Sequence, residues 1–258
     1  MTDTLIRPDG TRLVYNRLAP QAGHSAPGLV FLCGFGSDME GSKALYLEAL
    51  ARERGQGFIR FDYSGHGLSD GDFRDGTISR WAEDSLAVID ALTEGPQILI
   101  GSSMGGWLML LAALARPERI AGLIGIAAAP DFTKRLQWPK LTPEQQARVM
   151  EQGFVQVPSN YEDDYIFTRA LFEDGADNLL LEADIDLDLP VILLQGQQDV
   201  DVPEETAFEI ARRLRSDDVT IELVKAADHR FSGPEELKRL ARAVDTRTEK
   251  YRDDRFQG

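Results

Sequence analysis

The chain has 258 residues, 43% of them hydrophobic, enough to bury a sizeable core as one large α/β domain or two small ones. With 28 basic against 43 acidic residues the formal net charge is −15, which works against nucleic acids and anionic membrane faces as partners. A single cysteine, Cys33, excludes an intrachain disulfide framework and a cysteine-rich zinc site, and no stretch approaches the roughly 20 apolar residues of a membrane span.

The N-terminal MTDTLIRPDG has neither the basic start and apolar run of a secretory signal nor the arginines of a transit peptide, so a soluble cytoplasmic protein is expected. Two β-like runs come first, Thr11 to Leu18 with rough alternation and Gly28 to Cys33 almost wholly apolar, separated by a loop rich in Pro, Gly and Ser. After a glycine loop, Ala44, Leu45, Leu47 and Leu50 recur at helical spacing before a stop at Gly55. Phe58 to Asp62 reads as a strand and Ile78 to Leu92 as an amphipathic helix. Next come the strand QILIG, a helix from Met104 to Ala115 ended by Pro117, and the apolar run IAGLIGIAAAP. Short buried strands alternating with helices predict a mostly parallel sheet covered on both faces.

The alternation breaks at Asp131. From there to Asp188 the chain shows no strong strand and scatters aromatics (Phe132, Trp138, Phe154, Tyr161, Tyr165, Phe167, Phe172) among acidic residues. Strand and helix then resume with LPVILLQG, PEETAFEIARRL, VTIELVKAA and PEELKRLARAV, and the tail TRTEKYRDDRFQG reads as a solvated extension. The predicted organisation is therefore one discontinuous core domain, residues 1–130 and 189–258, with a small, mostly helical lid at 131–188.

GSSMGG, at 101–106, lies where a buried strand turns into a buried helix. A serine hydroxyl attacks a carbonyl only when a base takes its proton and the side chain stands clear of the backbone; a G-x-S-x-G elbow supplies the second condition. Ser103 has Gly101 and Gly105 at the required spacing, whereas Ser102 would place Ile100 and Met104 there. The same turn puts the Met104 backbone N–H at the positive end of the next helix, a candidate oxyanion donor. The second candidate donor is the Phe35 N–H in CGFGSDMEG, where Gly34 and Gly36 let the backbone turn closely.

In such an elbow fold the chain order is nucleophile, acid, histidine. Of the three histidines only His229 follows the last predicted strand; His24 sits in an early loop, and His66 reads as a turn residue packed near the site, with a substrate contact as the alternative. The acid is taken as Asp199, just past the strand VILLQG, with Asp201 as the alternative. An acid there fixes the histidine tautomer and stabilises the imidazolium formed on proton transfer.

Nucleotide motifs fail: G-x-G-x-x-G would need glycine at Met39, and a P-loop would need lysine at Ser42 rather than Lys43. No metal site is expected either, since the histidines are widely separated and Glu162, Asp163 and Asp164 read as a solvated face. Accordingly, no cofactor is expected.

With Ser103, Asp199 and His229 in this order, the chain resembles an α/β-hydrolase. GSKALYLEAL, IRFDYSGHGLSDG, GPQILIGSSMGGWLMLLAALARPERI and DHR resemble the mitochondrial α/β-hydrolase-domain family whose members act as acyl-glucuronide esterases and palmitoyl-protein thioesterases. The likeness is strong over 28–130 and looser over 186–245. It maps the family's nucleophile, acid and base onto Ser103, Asp199 and His229. Many α/β-hydrolases carry H-G-x-G before the oxyanion residue; here Cys33-Gly34-Phe35-Gly36 keeps the backbone donor but lacks that histidine. The resemblance implies a serine hydrolase acting on a small acyl ester or thioester, or on an acylated protein. Trp107, Phe132, Trp138 and Phe154 are the expected acyl-pocket residues, the alternative being that the aromatics only pin the lid to the core. Two other readings are an idle α/β-hydrolase that binds a small ligand or partner, and a serine peptidase.

Overall fold

Eight strands form one sheet in the order β1 (Asp3–Ile6), β2 (Arg12–Leu18), β4 (Phe58–Phe61), β3 (Gly28–Leu32), β5 (Gln97–Ser102), β6 (Ile120–Ile126), β9 (Val191–Gly196) and β10 (Val219–Val224). This computed structural model describes residues 2–159 and 164–257. From β4 to β10 every neighbouring pair is parallel; β2 runs antiparallel to both β1 and β4. The central strands β5 and β9 are buried at every residue, the pattern of strands covered on both faces.

Helices α1 (Ser42–Arg54), α2 (Ile78–Leu92), α3 (Met104–Ala115), α6 (Glu205–Arg213) and α7 (Pro234–Gln257) supply those covers. Thr77 caps α2 by accepting the Arg80 N–H, and α1 ends where Gly55 takes the left-handed conformation, φ 65°, returning its N–H to Ala51 and Arg52. The sequence-predicted strands and helices of the core all form within a few residues of their expected limits. The edge strand β1 is not among the predicted elements, its four residues being too few to show a period. The start of the tail departs from a solvated extension: α7 runs on to Gln257, and in it Arg247 and Thr248 are buried, Arg247 donating to Asp218 Oδ2 at 3.2 Å.

Between β6 and β9 the inserted segment carries α4 (Pro143–Gln152), β7 (Phe154–Val157), β8 (Tyr165–Thr168) and α5 (Arg169–Asp177). The expectation of no strong strand here is corrected, since β7 and β8 pair as an antiparallel hairpin with Val155 opposite Phe167. Each is only four residues long, and their alternation (Val155 and Phe167 buried, Gln156 exposed) is too brief to stand out from scattered aromatics. The segment is fastened at its neck. Asp131, fully buried at φ 59°, accepts the Leu180 and Leu181 N–H groups at 2.8 and 2.9 Å.

Candidate active site

Ser103 stands at the turn from β5 into α3 with φ 55° and ψ −120°, a backbone conformation costly for a residue with a side chain. The turn is held from both sides: the Ser103 N–H donates to Ile126 O at 2.9 Å, and its carbonyl accepts Gly106 N–H at 2.8 Å and Ala129 N–H at 3.0 Å. The flanking glycines are steric requirements. A Cβ on Gly101 would lie 2.3 Å from Gly105 O, and one on Gly105 would lie 2.1 Å from Leu32 O. Ser102 remains in the strand and is buried.

His229 comes from the loop between β10 and α7, and its Nε2 lies 3.1 Å from Ser103 Oγ. Its Nδ1 is 2.8 Å from Asp199 Oδ2, on the loop after β9. The Asp199 side chain is fully buried, yet each oxygen is satisfied: Oδ1 accepts Asp201 N–H at 2.9 Å and Val202 N–H at 2.8 Å, and Oδ2 also accepts Gln195 Nε2–H at 3.2 Å. Burial by itself would raise its pKa, but the His229 contact and the two N–H groups outweigh it and hold the carboxyl below its ordinary range. An anionic carboxylate on Nδ1 leaves Nε2 as the acceptor towards Ser103, so the chain of three can draw a proton from the hydroxyl.

Asp201 is not within this chain of bonds to His229; its backbone N–H supports Asp199 instead. Asp199, Asp201 and His229 do place potential metal-ligating atoms within 4.8 Å of one another, but both Asp199 oxygens and His229 Nδ1 already serve the hydrogen bonds above.

Both expected oxyanion donors lie beside Ser103. Phe35 and Met104 line the same cavity as Ser103 and His229, and among the described residues neither backbone N–H makes a hydrogen bond. An added Cβ on Gly34 would sit 3.4 Å from Ser103 Cβ, so the loop before Phe35 runs within van der Waals reach of the serine. His66 is buried and does not line the cavity; its Nε2 accepts the Gly36 N–H at 3.3 Å.

The cavity measures about 820 Å³. Its apolar wall is made of Phe73, Phe132, Leu136, Tyr165, Ile166 and Phe167, and its polar wall includes Ser42, Lys43, Asp38, Asp201 and Arg230. Burial lowers the Lys43 pKa to about 8, and its Nζ donates to Arg230 O at 2.5 Å. Of the four expected pocket aromatics only Phe132 lines this space. Trp107 is fully buried in α3 and donates its indole N–H to Asn178 O at 3.1 Å, fastening the core to the inserted segment. Trp138 packs edge-on against Phe172 with centroids 4.9 Å apart, and Phe154 lies under the Arg74 guanidinium at 4.8 Å. For these three the alternative reading, aromatics that pin the segment, describes the packing. Tyr165 and Phe167 stand in their place, carried by the hairpin that the sequence did not reveal. Of the expected acidic face, Asp164 lines the cavity, while Glu162 and Asp163, like Tyr161, lie outside the described residues.

An elbow serine, a buried acid and a histidine, in this chain order, on a mostly parallel eight-stranded sheet define an α/β-hydrolase, and the alpha/beta hydrolase family model matches residues 29–243. The chain belongs to that family. It is 39% identical over 243 residues to the Bos taurus protein named palmitoyl-protein thioesterase ABHD10, mitochondrial, covering 93% of this chain and 78% of that one. Among solved structures it resembles mouse alpha/beta hydrolase domain-containing protein 10, with 37% identity, a TM-score of 0.88 and coverage of 97% and 99% of the two chains. A crystal structure from Agrobacterium vitis S4 is similar at 41% identity and TM-score 0.91, covering 96% of this chain and 98% of that one.

Proposed function

We propose that this protein is a serine hydrolase that cleaves carboxylic esters or thioesters through an acyl-enzyme on Ser103. The observation that carries the reading is the relay Ser103 Oγ to His229 Nε2 to Asp199 Oδ2, at 3.1 and 2.8 Å, opening on a cavity with an aromatic wall. In this reading His229 takes the Ser103 proton as Oγ attacks the acyl carbon, and the Phe35 and Met104 N–H groups receive the charge that builds on the carbonyl oxygen. His229 then passes the proton to the departing alcohol or thiol. Water, activated by the same imidazole, releases the acid and restores Ser103. Losing one oxyanion donor costs about 3 kcal/mol of transition-state stabilisation in comparable sites.

The apolar wall suits an acyl chain, and the name of the Bos taurus relative points the same way, to palmitoyl thioesters on protein. A second reading, hydrolysis of acyl glucuronides, draws on Lys43 and Arg230 in the polar wall, where a sugar carboxylate would meet them. The inserted segment acts as the lid in both. Turnover of matched acyl-coenzyme thioesters, p-nitrophenyl esters of increasing chain length and an acyl glucuronide, alongside fluorophosphonate labelling, tests the proposal. No labelling and no turnover on any of them would leave an idle, ligand-binding hydrolase fold.

A further inference from the structure

The DYSGHGLSD stretch after β4 carries no part of the reaction drawn above, yet its side chains converge on the loop that bears Phe35. Asp62 Oδ1 accepts the Met39 N–H at 2.7 Å, Tyr63 donates its hydroxyl to Cys33 O at 3.3 Å, and His66 Nε2 accepts the Gly36 N–H at 3.3 Å. The Phe35 N–H belongs to the peptide between Gly34 and Phe35. Tyr63 holds the peptide immediately before it and His66 the peptide immediately after it. The carbonyl of the central peptide is itself held, by the Ser37 N–H at 3.2 Å. A planar trans peptide with its oxygen bound and both neighbours anchored has little freedom left in the direction of its N–H.

The histidine is built for this contact. It is buried, with its ring packed edge-on against Tyr63, Phe73 and Trp81, centroids 5.4, 5.0 and 5.1 Å away. Phe73 and Trp81 also touch the Phe35 ring, at 4.9 and 5.9 Å, so one aromatic cluster sets both the histidine and the side chain of the donor residue. To accept from Gly36, Nε2 must keep its lone pair, which places the ring proton on Nδ1, where Ser64 O lies 3.4 Å away. Burial favours that neutral form, lowering the pKa to about 4. Of the acids, Asp38 pulls the other way without offsetting burial, while Asp62 and Asp84 are directed elsewhere, Asp62 to Met39 and Leu68 N–H and Asp84 to Ser64 and Arg7.

We propose that His66, with Tyr63 on the opposite flank, is a positioning residue that fixes the Phe35 N–H in the direction needed to receive the oxyanion. The proposal rests on the reading of Ser103 as nucleophile and Phe35 as donor. Here the histidine that steadies the loop comes from the turn after the neighbouring strand β4, while the loop's own first position is the buried Cys33.

The test compares His66→Phe, which keeps an aromatic ring but no acceptor, His66→Gln, whose Oε1 can take the Gly36 N–H, and Tyr63→Phe, which removes one hydroxyl. Each is measured for kcat/KM on p-nitrophenyl butyrate, for inhibition by an alkyl trifluoromethyl ketone whose adduct with Ser103 carries an oxyanion, and for thermal midpoint. The expected result is a fall in kcat/KM of about 10- to 100-fold for His66→Phe, below the loss on deleting a donor outright, with the ketone weakened by the same factor. Recovery to within a few fold in His66→Gln is expected, and a smaller parallel loss in Tyr63→Phe. A His66→Gln variant as slow as His66→Phe, or lost turnover with unchanged ketone affinity, overturns the proposal. Should His66→Phe fail to fold, Tyr63→Phe decides: wild-type turnover and wild-type ketone affinity there would overturn it. Wild-type protein that no fluorophosphonate labels overturns the nucleophile reading and this one with it, whereas labelled protein with unaffected variants overturns this one alone.

Discussion

The backbone N–H of Asp201 donates to Asp199 Oδ1 at 2.9 Å, so the two neighbouring acids occupy different ranks: one carboxylate meets His229, and the other residue's main chain supports it. Asp199→Asn should therefore fold and yet lose about 10³- to 10⁴-fold in kcat, because an amide at this position stabilises the wrong imidazole tautomer. Asp201→Asn keeps the backbone N–H and should change kcat by only a few fold. Paired rate measurements check this, and a reversal of the two severities would move the acid to Asp201.

Ser103 and Ser102 are adjacent but only Ser103 leaves the strand, at φ 55°, to meet His229. Ser103→Ala should abolish fluorophosphonate labelling and nearly all turnover. The Ser102→Ala protein should still be labelled, since its lost hydroxyl sits in a buried strand position. Intact-mass spectrometry of the two labelled variants reads this directly; a label that survives in Ser103→Ala would place the nucleophile elsewhere.

Which aromatics shape the cavity decides how turnover depends on chain length. Phe132, Tyr165 and Phe167 line it, whereas Trp138 and Phe154 pack away from it. Wild-type kcat/KM should rise with acyl length from acetyl to octanoyl, as each added methylene buried contributes up to about 0.8 kcal/mol. Phe132→Ala and Tyr165→Ala should flatten that slope while largely sparing acetyl esters. Trp138→Ala and Phe154→Ala should leave the slope intact and lower the thermal midpoint. A steep slope in all four variants would show that the chain binds elsewhere.

The hydrogen-bonded set of Ser103, His229 and Asp199 was legible in the sequence because its constraints are local: the glycines around Ser103 are imposed by strand-helix contact, and the order of Ser103, Asp199 and His229 follows the order of strand ends. The pocket was not, because an aromatic side chain in a sequence does not declare its face. Trp107 sits one turn beyond the elbow and looks placed for substrate, yet its indole N–H needs a buried acceptor and finds it in Asn178 O. Tyr165 and Phe167 reach the cavity only because β7 and β8 pair, and a four-residue strand has too short a period to be read without its partner. The role of His66 was hidden for a similar reason. Its contact with Gly36 spans 30 residues and depends on β3 and β4 lying side by side.

The buried state of His66 also makes a prediction about stability. Burial lowers its pKa from 6.5 to about 4, with the Ser64 carbonyl and Asp38 pulling the other way without offsetting it. An unfolded chain takes up a proton on this ring as pH falls through about 6.5, while the folded chain does not until about 4. The unfolded state thus binds more protons across that window, so the contribution is fully present above it and is lost as pH drops through it, by about 3 kcal/mol in total. Below about 4 no further loss arises from this group. The buried acids Asp62, Asp84 and Asp131 have raised pKa values and act with the opposite sign in their own ranges, so the informative quantity is the difference between wild type and His66→Gln. Urea unfolding at intervals from pH 7 to pH 4 should show the unfolding free energy of wild type declining relative to the variant by roughly that amount. A difference that stays constant across the range would mean that His66 titrates alike in the folded and unfolded chains, so that burial does not keep the ring neutral and Nε2 would lose the lone pair that accepts the Gly36 N–H as pH falls.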